Sequence, residues 1–444
     1  ITACDSVVWN GSTYTQSGTY SYSGSSIFSQ LGQDIDGEAA GDGSGYRVSS
    51  SSDGNIVAIG AIWNAGNGTN SGHVRIYNWD GSSWNQLGQD IDGEAASDHS
   101  GESVSLSSDG YTVAIGGPHN DDNGNVSGHV RIYNWNGASW AQLGQDINGE
   151  AAGDYSGNAI SLSSDGNTIA IGAYQNDGNG TNSGHVRIYN YNGTSWTQIG
   201  GDIDGEASYD ESGKVSLSSD GNTVAIGAPL NDGNGNNSGH VRIYNYNGSS
   251  WNQLGQDIDG EAAGDRSGGE IPSLSSDGNT VAIGAYWNDE NGTDAGHVRI
   301  YNYNGSSWNQ LGQDIDGEAA NDNSGRFVSL SNDGYTLAVA APFNGGNGSS
   351  SGHVRIYNWN GTSWIQLGQD IDGEAAGDRS GWDVSLSGNG DKVVIGAYKN
   401  DGNGTDAGHV RVYNLSNLTN TNGCDSTAIL NLTINHGDTS YTNI

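Results

Sequence analysis

The sequence is short of several things that most chains of its size contain. It has no methionine, two cysteines and three phenylalanines in 444 residues, and only 14 basic side chains against 51 acidic ones. Lacking methionine and beginning at Ile1, it reads as a processed product or an excerpt. No apolar run approaches the ~18 residues needed to cross a membrane as a helix. The net charge of −37 repels nucleic acid and anionic lipid, so neither is an expected partner. No stretch holds a helical period of apolar residues. Only 33% of residues are hydrophobic, a fraction that would fit disorder, yet thirteen Trp and twenty-two Tyr recur in register. The chain reads as a packed protein rich in turns.

What is present is repetition. Gly-His-Val-Arg-Ile-Tyr-Asn opens at Gly72 and returns, placing histidines at His73, His129, His185, His240, His297, His353 and His409. A second phrase, Gln-Leu-Gly-Gln-Asp-Ile-Asp-Gly-Glu-Ala-Ala, starts at Gln30 and occurs seven times with small changes. Self-similarity at such a period marks a repeat architecture in which each unit is one supersecondary element. Within a unit, Ser103-Val104-Ser105-Leu106 alternates, and Ser108-Asp109-Gly110 makes a hairpin turn. Thr112 to Gly116 reads as a buried strand, and His129 to Tyr133 as a third. Asn136-Gly137 turns the chain into a fourth strand, Trp140 to Leu143. Seven such units predict an all-β fold, a seven-bladed β-propeller of four-stranded blades over residues 25–414. The first unit enters at its fourth strand, Ile27 to Leu31, and the last stops after its third, His409 to Tyr413. Pairing these two would complete the seventh blade from both ends and remove its open edges.

The flanking pieces, 1–24 and 415–444, are each too short to fold alone. With Cys4 in one and Cys424 in the other, they read as two halves of one small β module interrupted by the propeller. A Cys4–Cys424 bridge would tie it in an oxidising compartment; two unpaired thiols are the alternative.

The unit from Asp210-Glu211-Ser212-Gly213 through Gly227-Ala228-Pro229 and Gly239-His240-Val241 resembles FG-GAP repeats, found in integrin α heads and in bacterial secreted proteins. The resemblance spans about Ser25 to Asn414 and implies a propeller used in binding or adhesion. Calcium-binding members carry an acidic loop between the first two strands. Here that place holds only Ser-Asp-Gly, so calcium does not transfer to it. The flanks, Ala3-Cys4-Asp5-Ser6 with Trp9 to Thr15, and Asn422-Gly423-Cys424-Asp425-Ser426 with Leu430 to Asn435, resemble an Ig-like module of Bacteroidetes surface proteins. The tail Tyr441 to Ile444 then reads as the linker to a further copy, which implies a tandem array at the cell surface.

Candidate chemistry is sparse. Asp34, Asp36, Glu38 and Asp42, with Asp90, Asp92, Glu94 and Asp98 in the next unit, could supply oxygen ligands to Ca2+. Alternatively these loops accept bonds from amides and pair with the repeated Arg75, Arg131, Arg187, Arg242, Arg299, Arg355 and Arg411, which are assigned structural positions. Those arginines are half of all the basic residues, and no basic patch is expected. The seven repeated histidines show no His, Cys or acidic partner at ligand spacing, which points to packing. Tyr77, Trp79 and Trp84 are expected between blades. The Asn- and Gly-rich loop from Asn176 to Asn182 is turn chemistry or a repeated binding surface, and the sequons at Asn179 and Asn247 read as turns. The non-repeated Arg47, Lys214, Trp382 and Lys392 are scattered along the chain, with no evident catalytic set. The expected function is therefore a non-enzymatic, extracellular structural or adhesive unit that associates with itself or with neighbouring copies. The alternative is a multivalent glycan-binding module.

Overall fold

The computed structural model describes residues 28–415 in full, together with the backbone of strands Thr2–Ala3, Val7–Trp9, Ser12–Tyr14, Gly18–Ser23 and Thr427–Ile434. Residues 28–415 form a closed seven-bladed β-propeller. Blade two is representative. Its strands Ser103–Leu106, Thr112–Gly117, His129–Trp135 and Trp140–Gln142 pair in sequence order, all antiparallel. The fourth strand is broken. After a turn at Leu143 to Asp146 the chain returns at Ile147–Asn148 to pair again with the third strand, Ile147 opposite Val130. In blade six the two pieces merge into one strand, Trp364–Asp372, with a register shift between Val354 and Ile356.

Closure is as the sequence suggests. Asp383–Leu386, Lys392–Ala397 and His409–Asn414 supply three strands of blade seven. The fourth comes from the other end of the ring: Gln30 pairs with Tyr413, and Ile35 with Val410.

The core lies between blades. A cluster of Ile56, Val74, Ile76 and Ile91 from blade one packs on Leu106, Val113, Ile115 and Trp140 from blade two. Equivalent clusters recur around the ring, which is why second strands such as Thr112–Gly117 are buried on both faces. The outer tryptophans bind the same seams. Trp140 Nε1 donates to Leu87 O at 2.7 Å, and Trp84, Trp196, Trp251, Trp308 and Trp364 make the same bond to the preceding blade. Tyr77 packs in one of these seams with Trp84, as expected.

The innermost strands line the channel with serine. Ser105 Oγ accepts the amide of Leu162 in the next blade at 3.0 Å, and the same bond recurs at all seven seams, ending with Ser50 N on Ser385 Oγ. Glycine is required where blades touch. A Cβ at Gly116 would lie 2.1 Å from Gly157 O of the next blade.

Outside the ring, Thr427–Ile434 pairs antiparallel with Gly18–Ser23 and parallel with Thr2–Ala3. The two flanks thus share a sheet. Cys4 and Cys424, the expected bridge, lie outside the described residues. Among the described residues no helix is long and apolar enough to cross a membrane.

The closing strand contributes apolar contacts that are entirely long-range. Ile35 is buried in the seam with Val48, Val57 and Val410. Ile35→Ala is expected to cost ~2–5 kcal/mol in denaturant unfolding, as for other buried Ile to Ala changes. A loss below ~0.5 kcal/mol would mean that closure does not govern stability.

Candidate functional site

The acidic phrases form the rim. Each glutamate of the phrase pairs with the arginine of the next blade's third strand, as Glu38 does with Arg75 at 3.6 Å and Glu94 with Arg131 at 3.7 Å. The remaining arginines follow suit: Arg187 with Glu150, Arg242 with Glu206, Arg299 with Glu261, Arg355 with Glu318 and Arg411 with Glu374. Each guanidinium is buried, donates to a backbone carbonyl such as Asp36 O or Asp92 O, and lies against the tyrosine two residues on. These are structural positions.

A single phrase does not gather its carboxylates. Asp34 and Asp36 lie beside His409, and Glu38 beside His73 and Asp90. Asp42 is buried and accepts from Ala39 N and Asn64 Nδ2; Asp98 does the same with Ala95 N and Asn120 Nδ2. Asp90 accepts from Gln86 Nε2, and Asp92 offers its carbonyl to Arg131. Oxygen ligands four to eight residues apart are thereby divided among neighbouring blades.

The repeated histidines do have acidic partners, contrary to their spacing in sequence. His129 Nδ1 lies 3.6 Å from Glu94 and shares a cluster with Asp122 and Asp146. Glu94 comes from the preceding blade seam and Asp146 from the turn before the returning strand, so the partnership exists only in the folded ring. Asn loops close the same region: Asn179 Nδ2 donates to Gly205 O at 2.8 Å, and Asn234 to Gly260 O. The Asn- and Gly-rich loops are thus turn chemistry.

The non-repeated residues tell a different story. Tyr46, Glu102, Asn158, Lys214, Glu270, Arg326 and Trp382 occupy one column of the repeat, 56 residues apart as in Asn158 to Glu102. The column starts the innermost strand of each blade, so all seven side chains meet at one mouth of the channel. Below them a cavity of about 200 Å3 is lined by all seven blades, including Arg47, Phe327 and Asp383. Arg47, Lys214 and Trp382, scattered in sequence, converge here; Lys392 does not, and donates to Asp53 O near the hairpin turns.

Contacts run around the mouth from blade to blade. Lys214 Nζ donates to Asn158 Oδ1 at 2.8 Å, and Asn158 Nδ2 donates to Glu102 Oε1 at 2.9 Å. Glu270 bridges Arg326 at 3.4 Å and Arg47 at 3.8 Å. Asp383 accepts the amides of Val48 and Val384. Burial, which outweighs Arg47 and these amides, pushes its carboxyl up to about 6. Burial likewise lowers Lys214, against the pull of Glu270 and Glu102. Aromatic rings fill one side: Trp382 contacts Tyr398 at 4.7 Å and Tyr46 at 5.8 Å between centroids, with Trp63 beyond. Arg326 and Arg379 lie over the Trp382 ring.

A second column adds to the face. His99, Tyr155, Glu211, Arg266, Asn323 and Arg379 all adopt φ of 52 to 56°, where glycine or asparagine would be unstrained. Retaining His, Tyr, Glu and Arg in that conformation costs on the order of 1–3 kcal/mol per residue and points to use of the side chains. Of the seven basic residues outside the repeated phrase, Arg47, Lys214, Arg266, Arg326, Arg379 and Lys399 all belong to this aromatic and acidic set. These cations gather at one mouth among the carboxylates Glu102, Glu211, Glu270 and Asp383. The signal available in sequence was the column in which the repeat fails to repeat.

The rim also sets the acid response. Burial first, and the adjacent arginine second, hold His129, His240, His353 and His409 down to about 4, despite nearby Asp146, Asp257, Asp370 and Asp34. An unfolded imidazole titrates at 6.5. Between these values the unfolded chain binds more protons, so this stability is whole above pH 6.5 and is lost as pH falls towards 4, ~3 kcal/mol for each such histidine. Rim carboxyls such as Glu94, raised by burial, oppose the loss only near their own titration. The melting midpoint should fall from pH 7 to pH 5, and less steeply in His129→Asn; a flat profile over that range would refute it.

The FG-GAP repeat family matches residues 148–189 and 371–413. No curated protein matches the sequence. Among solved structures, hydrazine synthase of Kuenenia stuttgartiensis is 12% identical with a TM-score of 0.51, over 83% of this chain and 94% of that one. The Cps50 (Swd1) β-propeller domain of Myceliophteria thermophila is 8% identical, TM-score 0.51, over 88% and 99%. A protein provisionally assigned as a 6-phosphogluconolactonase, from Bacteroides uniformis, is 14% identical, TM-score 0.52, over 74% and 85%. At such identities these three share the fold. Two segments of the chain thus match the FG-GAP repeat, and the chain folds as a seven-bladed β-propeller.

Proposed function

We propose that the protein is a non-enzymatic recognition module of the cell exterior that holds an acidic glycan at the non-repeated mouth of the propeller. The observation that carries this is the column from Tyr46 to Trp382: near-identical blades differ where their side chains converge. A chain of net charge −37 gathers six cations there, beside aromatic rings that suit the apolar faces of sugars. The buried donor Trp382 Nε1 lacks an acceptor, and a carboxylate, sulfate or hydroxyl oxygen would supply one. An adhesive role follows, with one composite site in place of seven equal ones.

A second reading, a spacer in an array of like modules, draws on the shared sheet of the two flanks. The Ig-like character of that sheet and its attachment to further copies belong to this proposal.

A glycan array followed by titration calorimetry separates the readings. Acidic glycans are expected to bind, with Kd weakened at least ~10-fold by Arg326→Gln or Arg379→Gln, the loss of one charge-assisted bond. Asn236→Ala, on an exposed rim loop, is expected to change nothing. Binding that follows the rim loops would favour the multivalent alternative, and no binding to any glycan would leave the spacer.

A further inference from the structure

Blade two departs from the others in a way the glycan reading does not use. His99 and Glu102 stand at the two mouth columns of this blade, and His119 follows its second strand. Equivalent positions elsewhere carry Gly43, Tyr46 and Trp63 in blade one, and Tyr155, Asn158 and Gln175 in blade three. His99 Nδ1 lies 3.8 Å from Glu102 Oε2, and His119 Nε2 lies 3.6 Å from the same oxygen. All three atoms fall within 4.8 Å of one another. The imidazole rings sit side by side, centroids 4.4 Å apart.

We propose that His99, Glu102 and His119 form a site for a divalent transition ion of the zinc class. Two imidazole nitrogens and one carboxylate oxygen are the donor set that such ions prefer over Ca2+ or Mg2+, which take oxygen. A tetrahedral ion with bonds of about 2.0–2.1 Å spaces its donors by roughly 3.4 Å. The two gaps to Glu102 Oε2 need to contract by only a few tenths of an ångström. Glu102 is held for the task, because its other oxygen accepts from Asn158 Nδ2, which is oriented in turn by Lys214 Nζ. Such outer partners fix a ligand's orientation and tune its affinity.

Access agrees. The three side chains are partly exposed at the mouth, and His119 also meets the edge of Tyr155. Three protein donors leave further coordination positions open to water or to a ligand oxygen. A bound ion would therefore add a directional acceptor of oxygen ligands to a face otherwise made of aromatic rings and cations. The repeated rim clusters differ from this one in having a single histidine each, with a buried arginine alongside.

The test uses the full chain stripped of metal by a chelator and dialysed. Zn2+ titration should give one tight equivalent per chain, and Co2+ should give a visible absorption band of a nitrogen- and oxygen-ligated ion. Glu102→Gln and His119→Asn should each abolish both, with circular dichroism and melting unchanged. Asn158→Ala should weaken binding ~10–100-fold, the effect of losing an outer-shell partner. Glu94→Gln, on the rim, should retain the tight equivalent. A stoichiometry unchanged in Glu102→Gln, or lost in Glu94→Gln, would overturn the assignment, as would the absence of any tight equivalent in the wild type. None of these readouts depends on which glycan the face holds.

Discussion

The structure depends on how the innermost strand of each blade satisfies its free edge. That strand has a partner on one side only, and its amides on the other side face a narrow channel. An unpaired amide there costs ~1–3 kcal/mol, which multiplied by seven would exceed the stability of most domains. The serine of the preceding blade supplies the missing acceptor, as Ser161 does for Leu217 and Ser329 for Leu386. The last of these bonds, from Ser50 to Ser385, is possible only in a ring of this size, since it joins residues 335 positions apart. Closure and edge protection are therefore the same event. The requirement also explains why Ser-Leu persists in six of the inner strands while the residues just above it vary freely.

Electrostatics follows from the same geometry. Seven arginines are buried beneath the rim, each under a glutamate from the neighbouring blade, so the rim keeps its carboxylates outward and its cations inward. A long-range negative field results. Within that field, the cations at the mouth are partly buried among rings and buried acids, where attraction between opposite charges is screened less than at the rim. Glu270 between Arg47 and Arg326 holds two like charges together that would otherwise separate. These contacts hold the side chains of the mouth against one another.

Much of the fold was legible because it is what repeats. Period, hairpin turns and apolar alternation carry the strand order, and the partial first and last units carry the closure. The break in the fourth strand was not legible: the sequence reading ends that strand at Leu143, whereas the chain turns at Gly144, with φ of 77°, and rejoins the sheet at Ile147. The site was the least legible part. His129 gains Glu94 and Asp146 through a seam that only the ring creates, and Arg47 meets Glu270 across 223 positions of chain. Periodicity directs attention to identical residues, whereas this mouth is built from the one column where identity lapses.

That division bears on how the protein can bind. Seven equal rim loops would favour an extended ligand with matching repeats, and affinity would rise through linkage of weak contacts. The rim, however, uses its repeated side chains on itself: Asn179 and Asn234 close loops, Asp42 and Asp98 cap turns, and each glutamate holds an arginine. Few of these groups are free for a partner. The mouth differs in having Trp382 Nε1 as a buried donor without an acceptor, and in left-handed backbone at His99 and Arg379, where blade one has Gly43. Unpaired buried donors and strained backbone both lower stability, and the repeat offers unstrained residues for the same places. Among the described residues the departures from this uniform scaffold concentrate at one end of one channel, which is why the proposed recognition rests on that single asymmetric mouth and not on the rim.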